Sequence, residues 1–285
     1  MSSYAVVEKF RIEAQPNYVS QSNEEQVFAA AFRAKIPLIL KGPTGCGKTR
    51  FVEYIAHTLG VPLITVSCHE DLTASDLLGR FLFRDNETVW QDGPLTLAVR
   101  YGGICYLDEI VEARKDTTVV IHSLTDHRRT LYIDKTGELI HAHPDFMMVL
   151  SYNPGYQSIV KDLKQSTKQR FASLVFDHPP VELEREIIHT ETGLDRETST
   201  QLAEMGAKIR ELQGFGLEEG VSSRLLVYVG RLMQEGLDAV EASTVAVAQT
   251  LTDDSEVLAS VRDVIQLYFG ELMELPDATA QPGRR

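Results

Sequence analysis

The sequence predicts an α/β fold: a parallel five-stranded sheet covered by helices on both faces, carrying two inserted β-hairpins and followed by a smaller all-helical domain. Three observations predict it. Short apolar runs alternate with helical segments through the first part of the chain, the pattern of strands buried on both faces. A glycine-rich phosphate-loop pattern directly follows the first of those runs. Beyond Pro179-Pro180 the strands stop and only helical spacing continues, which makes 1–178 the α/β nucleotide-binding core and 179–285 the helical lid domain.

Taken in order, Ser22-Asn23-Glu24-Glu25 has the spacing of a capping box before the helix-forming run QVFAAAFRA, so a helix is expected over 23–35. Residues 37–40 read as a short buried strand. A helix from Lys48 to near Gly60 follows, then strands at 63–67 and 104–107, a helix over 117–124, and strands at 146–151 and 174–176. Two stretches break the alternation. Residues 80–92 (RFLFRDNETVWQD) and 129–141 (RTLYIDKTGELIH) each hold two β-type runs around a polar centre, Asp85-Asn86 and Asp134-Lys135-Thr136-Gly137, and read as inserted hairpins. ELEREIIHT, ETSTQLAEMGAKIRELQ, SRLLVYVGRLMQ and residues 255–272 supply the helices of the second domain, and DATAQPGRR reads as a frayed tail.

Composition narrows the function. With 43% hydrophobic residues in 285 the chain can bury a substantial core. The 28 Lys+Arg against 41 Asp+Glu leave a formal charge of -13 with no basic run, which disfavours nucleic acid and anionic membranes as partners. MSSYAVVEKFRIEAQ carries charges where a signal peptide needs an apolar stretch, and no window reaches the length of a membrane span, so the cytoplasm is the expected location. Cys46, Cys68 and Cys105 are too few and scattered for a disulfide framework or a zinc site and read as buried thiols. Cys46 lies inside the phosphate loop, where modification is expected to block nucleotide. His69, His122, His127, His141 and His143 make no metal-ligand pattern and read as structural or surface residues.

Gly42-Pro43-Thr44-Gly45-Cys46-Gly47-Lys48-Thr49 fits G-x-x-x-x-G-K-[ST] between a strand and a helix. Glycines let backbone N–H groups close around phosphate oxygens, and the helix N-terminus adds a favourable dipole. Lys48 is expected at the β- and γ-phosphates of ATP and Thr49 at Mg²⁺. The strand Ile104-Cys105-Tyr106-Leu107 delivers Asp108, expected to hold Mg²⁺ directly or through water, and Glu109, expected to polarise the attacking water. Asn153 follows the apolar strand FMMVLS, where its amide could position water. The plainer reading is a turn Asn before Pro154-Gly155.

This set of motifs resembles the MoxR branch of AAA+ ATPases. KGPTGCGKTRFVE, LITVSCHEDLTASDLLGRF, WQDGPLTLAVR, ICYLDEIVEARKDTTVVIHSLTDHRRTL and SYNPGYQS resemble its CbbQ/NorQ subgroup, including Glu112-Ala113-Arg114 and Tyr152-Asn153-Pro154. The resemblance implies a hexameric ring in which Arg170, in LKQSTKQRF, enters the neighbour's site, with Lys168 a second contributor. A helix-dipole contact is the ordinary alternative for Arg170. It also implies that Arg224, in GVSSRLL, senses the γ-phosphate from the lid, against the alternative of a solvated residue near a helix start.

CbbQ proteins act with a von Willebrand A-domain adaptor, CbbO, to remodel Rubisco and release inhibitory sugar phosphates. NorQ proteins act with an analogous adaptor to mature nitric oxide reductase. The overall sequence leans to the CbbQ side, although no physical feature decides between them. A metabolic kinase fits poorly, because Glu109 is placed to activate water and the helical domain has no evident small-substrate motif. A nucleotide-controlled scaffold fits poorly too, because Lys48, Thr49, Asp108, Glu109 and Asn153 are all present.

Overall fold

The computed structural model describes residues 5–156 and 163–270. The tail DATAQPGRR lies outside the described residues. Nine strands occur in chain order: β1 (Leu38–Lys41), β2 (Leu63–Ser67), β3 (Gly79–Arg84), β4 (Glu87–Asp92), β5 (Gly103–Asp108), β6 (Thr130–Ile133), β7 (Glu138–His141), β8 (Phe146–Tyr152) and β9 (Ala172–Val175). Five form a sheet in the order β2-β5-β8-β1-β9, and every pairing in it is parallel. β8 is buried along its whole length and β5 up to Leu107, because apolar clusters cover both faces. Since β1, β8 and β5 are adjacent and parallel, the loops at their C-terminal ends share one edge, where α/β sheets place ligands.

Both insertions are antiparallel hairpins. β3 and β4 are joined by Asp85 and Asn86, both left-handed with φ of 50° and 66°. A two-residue turn with this backbone matches the natural strand twist, and Asn and Asp tolerate it better than bulkier residues. β6 and β7 pair from Thr130↔His141 to Ile133↔Glu138. Arg100, on the helix Pro94–Tyr101, joins the base of the first hairpin to the turn end of the second: its Nε donates to Asp92 at 2.9 Å, and its two Nη groups donate to the Glu138 carboxylate at 2.6 and 2.8 Å. Outward, the first hairpin exposes Phe81, Phe83 and Val89, and the second Tyr132 and Leu139.

Three local expectations need correction, and one segment carried none. The helix Glu24–Ala34 begins without the expected capping box, because its N-cap is Asn23 in place of Ser22 and makes no side-chain cap bond, while Glu24 turns back on the incoming chain. Its carboxylate accepts the N–H groups of Gln21 and Ser22 and the hydroxyls of Tyr18 and Ser20. Burial pushes this carboxyl up, yet these bonds hold it below its ordinary value. The helix expected over 117–124 is Lys115–Val120, with a tighter 3₁₀ turn at His122–Leu124. The fifth strand starts two residues early, at Ala172, because its register follows β1 from Leu38. The segment Ala239–Leu251, read over in the sequence, is helical with a π-type stretch at Thr244–Ala248, its β-branched residues having masked the helical spacing.

The chain divides into two compact units, Met1–His178 and Pro179–Arg285. The second packs Ile188, Leu202, Met205, Ile209, Leu226, Val247, Val261 and Ile265 into one core. Inside it Glu184 is fully buried and held by Arg210, whose Nη groups donate to the carboxylate at 2.6 and 2.7 Å and whose Nε donates to the Val221 carbonyl. The Ser223 hydroxyl donates to the same carboxylate. Removing one partner of such a pair strands the other charge away from water, so Arg210→Ala is expected to destabilise the protein by about 3–5 kcal/mol. Urea denaturation measures this, and a loss below about 1 kcal/mol would mean that the site hydrates the stranded carboxylate.

Candidate functional site

The phosphate loop leaves β1 at Gly42. A Cβ there would lie 2.4 Å from the Phe176 carbonyl oxygen, so the close approach of the two backbones requires glycine. Gly45 and Gly47, with φ of 70° and 98°, turn the loop in the left-handed region that side chains avoid. Gly42→Ala is therefore expected to destabilise by about 1–3 kcal/mol through overpacking and to weaken ATP binding. Thermal unfolding with and without ATP checks both, and an unshifted Tm would show that the Phe176 backbone yields freely. The helix Lys48–Leu59 starts directly after Gly47. Lys48 is buried, and its ammonium donates to the Gly42 and Pro43 carbonyls at 2.8 Å each.

Cys46 lies in the loop, but its side chain is 2% exposed and packs in the cluster with Phe28 and Phe51. Burial pushes its thiol up, with Lys48 opposing. A protonated, shielded thiol reacts slowly, so the expectation of blockage by modification finds no support in the geometry. Cys68 is pushed up to about 12 by burial and by the charges of Asp108 and Glu109, and Cys105 is raised by burial.

β5 ends in the acidic pair. Asp108 accepts the Tyr106 hydroxyl on Oδ1 at 2.7 Å, and its Oδ2 lies 3.4 Å from Thr49 Oγ1. Thr49 Oγ1 is also 3.4 Å from the Tyr106 hydroxyl. Burial, followed by the charge of Asp108, raises the phenol well above its ordinary value, so it stays neutral and donates. Ser151, on the neighbouring β8, donates its hydroxyl to Asp108 Oδ1 and accepts the Glu109 N–H at 3.1 Å. Glu109 adopts φ 54° and ψ 47°. That left-handed backbone is uncommon for a residue with a side chain and persists only where surrounding bonds enforce it.

The hydroxyl of Thr49 and the carboxylate of Asp108 offer hard oxygen donors side by side, which suits Mg²⁺. That ion takes one or two protein oxygens and completes its shell with phosphate and water. The absence of any three-residue His, Cys, Asp or Glu cluster among the described residues is compatible with such a site.

Asn153 is 5% exposed. Its Oδ1 accepts the Gly155 N–H at 2.9 Å, and its Nδ2 lies 3.5 Å from the Thr44 hydroxyl of the phosphate loop. The turn role and the site role therefore coexist in one amide. Arg170 follows the short helix Gln165–Lys168, and its Nη1 contacts the His122 carbonyl at 3.3 Å and Asp126 at 3.5 Å. Lys168 lies over the Tyr152 ring, 5.8 Å from its centroid. In the second unit Arg224 is exposed, one residue into the helix Ser223–Gln234, which the Ser222 hydroxyl caps. His122 is lowered by burial and then by Arg170, and its Nε2 pairs with Thr167.

The structure thus brings Thr44, Lys48, Thr49, Asp108, Glu109 and Asn153 to one sheet edge. Sequence reasoning missed Tyr106 and Ser151, which link that set, and Asp126, which holds Arg170. The available signal was a hydroxyl among otherwise apolar strand positions, which buries only if bonded.

Comparison with known proteins agrees with this geometry. The family described as AAA domain (dynein-related subfamily) matches residues 37–171, and the CbbQ/NirQ/NorQ C-terminal family matches residues 184–268. The chain is 54% identical to the protein CbbQ of Hydrogenophilus thermoluteolus, over 92% of this chain and 98% of that one. It is 56% identical to the protein NorQ of Paracoccus denitrificans (strain Pd 1222), over 90% and 94%. A solved structure of a Thermotoga maritima RuvB mutant (P216G) superposes with a TM-score of 0.56 over 92% of this chain and 76% of that one, at 16% identity, a likeness of fold. The chain belongs to the CbbQ/NirQ/NorQ family and is a MoxR-type AAA+ ATPase, binding nucleotide and hydrolysing ATP.

Proposed function

We propose that the chain is the motor subunit of a cytoplasmic homo-hexameric ring that uses ATP with Mg²⁺ to remodel a protein client, acting with a von Willebrand A-domain adaptor of the CbbO type. The observation that carries the ring is Arg170, whose bonds go to His122 and Asp126 instead of to its own phosphate loop. A guanidinium held there, a third exposed, is available to a neighbouring subunit's nucleotide.

In this reading the backbone N–H groups of Thr44, Gly45, Cys46 and Gly47 face the phosphates, Gly42 and Pro43 shape the loop that presents them, and Lys48 neutralises the β- and γ-phosphates. Thr49 and Asp108 would hold Mg²⁺, which would supply positive charge against the negative charge developing on the phosphates. Glu109 polarises the attacking water, and Asn153 fixes its position beside the loop. Arg170, with Lys168 beside it, supplies positive charge across the subunit boundary, and Arg224 reports on the γ-phosphate from the helical unit.

The proposed client is Rubisco, freed of inhibitory sugar phosphates. A second reading, maturation of nitric oxide reductase, is favoured by the 56% identity to the Paracoccus NorQ protein. No helix among the described residues is long and apolar enough to cross a membrane, which fits a peripheral motor in either case. Two measurements test the proposal. Turnover per subunit falls as dilution dissociates the ring if sites are shared, and a rate per subunit that stays unchanged at concentrations where the ring has dissociated would remove the inter-subunit site. The Glu109→Gln protein, used as a trap in its host, co-purifies with Rubisco and a von Willebrand A-domain protein under the first reading. Recovery of nitric oxide reductase subunits would transfer the chain to the second.

A further inference from the structure

We propose that Ser151 is the positioning residue that sets the geometry of the acidic pair. It holds Asp108 and Glu109 at once, and Tyr106 separately governs the Asp108–Thr49 side. Ser151 is fully buried in β8, two residues before Asn153, in a strand otherwise built from apolar and aromatic residues. A buried hydroxyl is costly unless bonded, and this one uses both its capacities on the pair: it donates to Asp108 Oδ1 and accepts the Glu109 N–H at 3.1 Å. The second bond lands on the residue whose left-handed φ of 54° needs an external restraint. Ser151 therefore fixes the peptide plane from which the Glu109 side chain projects.

Tyr106 shares Asp108 Oδ1 with Ser151 but reaches Thr49 in place of Glu109. Its hydroxyl donates to Asp108 Oδ1 at 2.7 Å and lies 3.4 Å from Thr49 Oγ1. With Oδ1 occupied by two hydroxyls, Oδ2 is the oxygen turned to Thr49, at 3.4 Å. Both losses remove one bond to Asp108, but loss of Tyr106 also removes the contact to Thr49, whereas loss of Ser151 also releases the Glu109 backbone. Because Ser151 lies in β8 and Asn153 directly follows that strand, a shift of β8 would move the Glu109 backbone and the Asn153 amide together.

This inference rests on the proposed roles of Asp108 and Glu109, and the experiment separates the two. Ser151→Ala, Tyr106→Phe and Glu109→Gln are compared in the full chain for kcat, for fluorescent-ATP affinity and for the Mg²⁺ concentration at half-maximal binding. Ser151→Ala is expected to lower kcat about 10- to 100-fold through misplacement of the carboxylate, with ATP affinity kept within about twofold. Tyr106→Phe is expected to raise the Mg²⁺ requirement by about tenfold or more, with a smaller fall in kcat. Ser151→Cys, which keeps the size and a weak donor, is expected to be intermediate and serves if the alanine variant misfolds.

Ser151→Ala turning over within about twofold of the parent, while Glu109→Gln is inactive, overturns the role of Ser151 alone. Equal losses of kcat and ATP affinity in Ser151→Ala also overturn it, because they mark a merely structural hydroxyl. A fully active Glu109→Gln overturns the reading beneath it.

Discussion

Arg170→Ala is expected to lower ATP turnover by about 10³-fold or more, the contribution of an arginine supplied across an interface to phosphoryl transfer, while ATP binding stays near that of the parent. The argument is one of placement. The phosphate loop, the acidic pair and Asn153 converge at the ends of β1, β5 and β8, whereas Arg170 is bonded to the His122 carbonyl and Asp126. Mixing tests the direction of action. Arg170→Ala subunits keep a complete phosphate loop, and Lys48→Ala subunits keep a complete Arg170, so a mixed ring contains some boundaries at which both are intact. Activity reappearing on mixing two inactive proteins is the expected result. No recovery from a verified mixed assembly would place Arg170 in its own subunit's site or outside catalysis.

Glu109→Gln is expected to lower kcat by about 10²- to 10⁴-fold, the range for loss of a positioned acid–base group. The substitution keeps the side-chain shape and the Ser151 bond to the backbone N–H, so the left-handed turn is retained. What disappears is the negative charge proposed to draw a proton from water. ATP affinity should hold, because phosphate binding rests on the loop and Lys48, and single-turnover phosphate release against nucleotide titration separates the two quantities. A variant that loses binding and turnover equally would show Glu109 to be a binding residue.

The fold was legible where one physical signal dominated. Apolar runs bounded by glycine and proline marked the five parallel strands, and Asp85-Asn86 marked a turn that needs a left-handed backbone. The phosphate loop was legible in full, since each of its glycines answers a backbone demand. Sequence spacing failed where tertiary partners decide. The Glu24 carboxylate found Gln21 and Tyr18 in place of a capping box, and the π-type stretch at Thr244–Ala248 is held by the helical core. In the site, Asp108 and Glu109 could be read from the end of a strand. Ser151 and Tyr106 could not, because a hydroxyl in a strand acquires a role only through the neighbour its register supplies.

The guanidinium of Arg100 ties the root of the first hairpin to the turn end of the second. Asp92 closes the first hairpin and Glu138 opens the return strand of the second, and one rigid planar group clasps both. The second hairpin is thereby pinned near its tip to the helix Pro94–Tyr101, while the turn of the first, at Asp85-Asn86, lies at the far end of its ladder from the clasp, as a sprung arm hinged on a clamped one. The apolar residues Phe81 and Phe83 on the one and Tyr132 and Leu139 on the other keep a common reference through that clasp.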